Sequence, residues 1–289
     1  MSHQCWEDMD IPTLEREYSP SSCVPDIMPF LRAYEKRSLA AKIDHAGRLR
    51  EDLRYGPEPR AMMDIFIPDG DGPFPVHVFI HGGYWQELSK NESCFAAPNF
   101  LAHDMVFIAL DYTLAPDYSL PQIIEQTRRG MISILKNARK FSGNPTNISL
   151  SGSSAGAHLV AEILSSDWPA LGYATCPLKA ALAMSGIYDL RPLVNTYINE
   201  PLRMDQAQAT ACSPLFRIPP RSCPLIISYG ENETAEFKRQ SHDYHDAWLE
   251  RGLDAELLPV PGVNHFDIVM ELTRPDSPLF QTLLSRIRA

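Results

Sequence analysis

Gly152-Ser153-Ser154-Ala155-Gly156 stands between a short expected strand at residues 147–151 and a helix-like stretch at 155–165, and its reading decides the fold. The pattern is G-x-S-x-G. Small flanking residues let a chain turn sharply from strand to helix and push a serine hydroxyl out at the carboxyl edge of a sheet. A serine-rich turn that merely caps a helix has a similar composition, so the motif needs support from the rest of the chain.

Upstream, residues 63–67 and 76–80 read as strands, and the Pro- and Gly-rich turn at 69–75 predicts that they are neighbours joined by it. His81-Gly82-Gly83-Tyr84-Trp85 follows the second strand directly. Consecutive glycines free backbone N–H groups to converge, and together with the amide after the serine they can hold the oxyanion of a tetrahedral intermediate. The candidate donors are the backbone N–H groups of Gly83, Tyr84 and Ala155. A plain strand-to-helix turn is the simpler alternative for this loop.

Further apolar runs at 105–110, 179–184, 223–229 and 255–260 alternate with helical patterns at 121–141, 235–251 and 278–288. Pro121 falls in the first turn of one helix and Gly252 stops another. Buried strands alternating with helices predict an α/β architecture, a mostly parallel central sheet flanked by helices, because parallel strands need crossover connections. At 289 residues, with neither internal repeat nor low-complexity linker, the chain reads as a single domain over 1–289. Residues 1–45, with a helical pattern at 30–42, are expected to wrap the core or cap it.

His265 lies in Pro261-Gly262-Val263-Asn264-His265-Phe266, after the last expected strand, where loops from the carboxyl edge of a sheet converge. It is the candidate general base for Ser154. Most loop histidines are only polar surface residues, and of the other eight, His81 is expected to shape its loop and His158 lies within the helix after the serine. The acid that orients a base should fall between Ser154 and His265 in the chain. Glu231, Glu233 and Glu236 compete after the 223–229 strand, with Asp189 a more distant candidate. Glu233 is preferred for its place in the middle of the loop, and Glu231 stays open.

The formal charge of −10 argues against nucleic-acid or anionic-membrane surfaces, which need clustered Lys and Arg. No apolar run approaches the roughly 20 residues needed to span a bilayer, and Met1 to Asp10 lacks the basic start and apolar core of a secretory leader. The six cysteines are scattered without CxxC or metal-ligand spacing, which predicts free thiols in a reducing, cytoplasmic setting. No metal-binding or phosphate-loop motif is present, so no cofactor and no metal are expected. A homodimer is left open.

In this order the His81 to Trp85 loop, Ser154, the Glu233 segment and His265 resemble the kynurenine formamidase (arylformamidase) family of α/β-hydrolases. The resemblance rests on His81-Gly82-Gly83-Tyr84-Trp85-Gln86, Phe95-Ala96-Ala97-Pro98, Asp111-Tyr112-Thr113-Leu114-Ala115-Pro116 and Ala155-Gly156-Ala157-His158-Leu159, with Glu236-Phe237-Lys238-Arg239-Gln240-Ser241 similar to the helix after the acid. It runs through most of the chain. It implies an α/β-hydrolase fold and a catalytic Ser154, Glu233 and His265, with hydrolysis of a small aryl amide, N-formylkynurenine to kynurenine and formate. One departure is Glu233, where better-known members carry Asp. Lipase and esterase relatives continue the His-Gly-Gly loop with a third glycine, which here is Tyr84. Tyr84 and Trp85 could wall a pocket for an aryl ring, unless Trp85 packs inward beneath the loop. The alternatives are a general carboxylesterase, an amidase for another acylated amine, or a hydrolase-fold binding protein without turnover.

Overall fold

One buried sheet organises the computed structural model, which describes residues 6–289. Cys5 and the first half of the acidic N-terminus lie outside the described residues. The strands are β1 (Leu49–Arg54), β2 (Met62–Phe66), β3 (Phe74–Ile80), β4 (Val106–Leu110), β5 (Gly143–Ser153), β6 (Ala180–Met184), β7 (Leu225–Gly230) and β8 (Ala255–Val260). They form one eight-stranded sheet in the order β1-β2-β4-β3-β5-β6-β7-β8. β1 and β2 run antiparallel to their neighbours, and every pairing from β4 to β8 is parallel. Every position of β4, β6 and β7 is buried, as strands covered on both faces must be.

The helices are α1 (Ile11–Glu17), α2 (Met28–Asp44), α3 (Ala97–Leu101), α4 (Leu120–Asn137), α5 (Ala155–Leu164), α6 (Asn199–Leu202), α7 (Gln206–Ala211), α8 (Ala235–Glu250) and α9 (Pro278–Arg288). Side chains alternate across β3, so Val76, Val78 and Ile80 join a core with α4, α5 and α8, while Phe79 joins a second core with α3 and α9. α4 begins with a capping box between Ser119 and Gln122 and buries Ile123, Thr127, Met131 and Ile134 along one stripe. α5 is buried at all ten of its positions.

One expectation needs correction, and one strand escaped the sequence reading. β2 and β3 are not neighbours, because the crossover through α3 lays β4 parallel on β3 and leaves β2 to pair with β4's far edge. A period-2 pattern marks a strand but not its partner. β1, Leu-Arg-Glu-Asp-Leu-Arg, shows no apolar pattern, since it is an edge strand with a charged, largely exposed surface.

Residues 6–48 are tied to this frame by polar contacts. Asp64 on β2 is completely buried and receives Lys42 Nζ of α2 at 2.7 Å and Lys90 Nζ at 2.8 Å. Ser38 Oγ accepts the Cys94 backbone N–H at 3.0 Å, and Tyr18 donates its hydroxyl to Glu236 at 2.7 Å. No helix among the described residues is long and apolar enough to cross a membrane.

His77 on β3 is sealed between Ser149 and Ser151 at 2.8 and 2.7 Å, and His158 on α5 meets the Cys212 carbonyl at 2.8 Å. Burial pushes both imidazoles down to about 3, so both are neutral in the fold. Their folded-state values lie below the unfolded one, so they add stability above the unfolded value of about 6.5 that drains away as the pH falls towards 3. Urea unfolding is expected to lose about 1.4 kcal/mol per pH unit for each histidine below that point. Equal stability at pH 7.5 and pH 5 would contradict this.

Candidate active site

Ser154 occupies the turn between β5 and α5 with φ 57° and ψ −120°, a conformation that is strained for a side-chain-bearing residue. Its backbone N–H donates to the Met184 carbonyl on β6 at 2.8 Å. Both glycines of the motif are required by space: a Cβ on Gly152 would meet the Gly156 carbonyl oxygen at 2.4 Å, and one on Gly156 would meet the Ile80 oxygen at 2.1 Å. The helix therefore starts directly against β3, and the serine is raised at the carboxyl edge of the sheet.

The loop after β3 lies against this turn. A Cβ on Gly82 would come within 3.3 Å of Ser154 Cβ. Gly83, Tyr84 and Trp85 follow with φ of 93°, 49° and 60°, three left-handed residues in a row. Among the described residues, no protein acceptor takes the backbone N–H of Gly83, Tyr84 or Ala155, which leaves them free for a ligand oxygen. Behind the loop, His81 Nε2 meets Asp111 at 3.1 Å, and Arg60 donates to the same carboxylate at 2.7 Å. Burial raises the Asp111 carboxyl, but His81 and Arg60 outweigh it and hold it below the usual carboxylate range.

Of the competing acids, the structure brings only Glu233 to His265. His265 Nδ1 donates to Glu233 Oε2 at 2.7 Å, which fixes the tautomer and leaves Nε2 as an acceptor. Glu233 Oε1 accepts the Ser185 hydroxyl at 2.6 Å and the Gly230 backbone N–H at 2.5 Å. Glu233 and His265 are both buried. The other acids are engaged elsewhere: Glu231 is exposed and meets the Gly262 N–H at 3.2 Å, Glu236 holds Arg239 at 2.7 Å, and Asp189 holds Arg191 at 2.8 Å. Ser185 was not legible in the sequence, since nothing in a strand-end serine marks it as a partner for a glutamate 48 residues later.

Ser154, His265, Gly82, Gly83 and Tyr84 line one cavity of about 270 Å³. Tyr34, Phe79, Phe95 and Phe266 give it an aromatic wall, and among the described residues no Lys or Arg lines it. Tyr34 and Pro20 come from the N-terminal segment, and Tyr34 donates its hydroxyl to the Phe266 carbonyl beside His265. Tyr84 in turn donates to the Tyr18 carbonyl. Trp85 does not wall the cavity. It is fully buried and meets His158 edge-on with ring centres 4.9 Å apart, because its left-handed backbone turns the indole inward beneath the loop. Among the described residues no group of three or more His, Cys, Asp or Glu could hold a metal ion.

Known proteins are similar to this chain in sequence and fold. Residues 63–167 match the BD-FAE family. A kynurenine formamidase of Danio rerio is 33% identical over 98% of both chains, and one of Salmo salar is 35% identical over 96% of this chain and 97% of its own. Among solved structures, a candidate thioesterase from Silicibacter sp. superposes with a TM-score of 0.82 at 26% identity, over 96% of this chain and 99% of its own. An esterase of Pyrobaculum calidifontis shares the fold with a TM-score of 0.72 at 18% identity, over 96% of each chain. Sheet, helices and relatives together define a hydrolase of the α/β-hydrolase class. Within that class the chain belongs to the kynurenine formamidase family.

Gly156→Ala is expected to force α5 away from β3, costing about 3 kcal/mol of stability and abolishing labelling of Ser154 by a fluorophosphonate probe. A variant with the melting temperature and labelling of the parent would show that the turn has room the structure denies it.

Proposed function

We propose that Ser154, His265 and Glu233 form an acyl-transfer triad that hydrolyses a small aryl amide, N-formylkynurenine, to kynurenine and formate. The observation that carries the reading is the Glu233–His265 hydrogen bond of 2.7 Å at the wall of the cavity that Ser154 also lines. Glu233 keeps His265 in the tautomer whose Nε2 can accept a proton, and its charge stabilises the imidazolium that forms.

In this reading the Ser154 oxygen attacks the formyl carbon while His265 Nε2 takes the hydroxyl proton. The carbonyl oxygen becomes an oxyanion held by the N–H groups of Gly83, Tyr84 and Ala155. The C–N bond then breaks, His265 returns the proton to the aryl nitrogen, and the free aryl amine leaves. Water, deprotonated by His265, attacks the formyl-serine ester, and formate departs as Ser154 regains its proton. Glu233 stays ionised throughout.

Support for the substrate comes from the aromatic wall of Tyr34, Phe79, Phe95 and Phe266, which suits an aryl ring, and from relatives that carry the name kynurenine formamidase. A formyl group is small, so longer acyl esters should react poorly. The cysteines among the described residues are all unpaired, which supports a reducing, cytoplasmic setting.

The test is kcat/KM on N-formylkynurenine against a p-nitrophenyl acyl series, with Ser154→Ala as the blank. The formyl amide is expected to be preferred, and turnover of the esters alone would make the chain an esterase. Glu233→Gln should lower kcat by about three to four orders of magnitude with little change in KM. Undiminished turnover would remove Glu233 from the triad.

A further inference from the structure

The cavity holding Ser154 adjoins a shallower groove of about 500 Å³ between α2 and the 87–92 loop. Leu31, Glu87, Leu88 and Glu92 are walls of both, so a ligand can extend from one into the other. The two differ in chemistry. Glu87 and Glu92 border both, but among the described residues no Lys or Arg lines the aromatic inner cavity, whereas the groove adds Arg32, Arg60 and Glu35 and so presents both signs of charge.

Two of these charges are already engaged. Arg60 donates to Asp111 at 2.7 Å and to the Leu88 carbonyl at 2.5 Å, and Glu92 accepts the Ser89 hydroxyl at 2.7 Å. Arg32, Glu35 and Glu87 are exposed, and among the described residues their side chains make no hydrogen bond or ion pair, although Arg32 and Glu35 stand one turn apart on α2. Glu87 is also fixed relative to the chemistry, since its backbone N–H donates to the Gly83 carbonyl in the oxyanion loop at 2.9 Å.

We propose that this groove is the subsite for a zwitterionic amino-acid tail, with Glu87 taking the α-ammonium and Arg32 the α-carboxylate while the scissile amide lies at Ser154. The proposal rests on the amidase reading above. A simple amine would leave Arg32 unanswered, and a simple carboxylate would face three glutamates. A group carrying both charges on one carbon satisfies both walls. Contacts with a part of the substrate that does not react are spent on binding and orientation, so they raise kcat/KM for tailed substrates over truncated ones.

The experiment compares N-formyl-L-kynurenine with formanilide, which carries the same formyl-aryl amide and no tail. Wild-type enzyme should prefer the tailed substrate in kcat/KM, and the ratio of the two should fall about two- to fivefold in Glu87→Gln and again in Arg32→Gln, chiefly through KM, the scale of partly exposed ion pairs. A ratio unchanged in both variants, or a wild type that cleaves formanilide as well as the tailed substrate, would overturn the subsite and leave the amidase standing. Hydrolysis of p-nitrophenyl acetate with neither formyl amide cleaved would overturn the amidase reading and the subsite with it.

Discussion

The close approach of α5 to β3 is the constraint from which the site follows. Gly156 leaves no room for a Cβ against the Ile80 carbonyl, and Gly152 none against Gly156. With both positions bare, the chain reverses direction within one residue, and Ser154 takes the left-handed conformation that turn requires. The same contact sets the loop after β3 against the serine, because β3 ends where α5 begins. Ser154 and the candidate oxyanion donors are therefore placed by one packing event, anchored further by the Ser154 amide on Met184.

The second pair of positions depends on a longer connection. Glu233 follows β7 and His265 follows β8, two parallel neighbours whose carboxyl ends lie side by side. Ser185, at the end of β6, completes the row by donating to Glu233. Three adjacent strands thus each deliver a residue to one edge, and the carboxylate is satisfied by three donors before any ligand arrives. Glu233 faces His265 with one oxygen and reaches back to the Gly230 amide with the other.

The N-terminal segment contributes Pro20, Ile27, Leu31 and Tyr34 to the cavity wall. Asp64 buries its charge between Lys42 and Lys90, and a buried carboxylate needs such partners to be tolerated. That anchor holds α2 so that Tyr34 reaches the Phe266 carbonyl and Leu31 forms a shared wall of cavity and groove. The cover of the cavity is therefore built from residues more than 200 positions away from the His265 segment they shelter.

Elements whose pattern is local were legible. The apolar runs of β4, β6 and β7, the capped α4 and the G-x-S-x-G turn carry their signals within a few residues, because burial on both faces and steric demand act on neighbours in the chain. Pairing was not legible: β2 went to β4 rather than β3, and the charged β1 joined an edge that asks little of its side chains. By itself the sequence determined the α/β class, the family and a short set of candidate residues around Ser154 and His265. Only the tertiary structure decided that Glu233, not Glu231, Glu236 or Asp189, meets His265, that Trp85 turns inward, and that Ser185 and Tyr34 belong to the site. These depend on distances between segments far apart in the chain, which packing sets and no local pattern encodes.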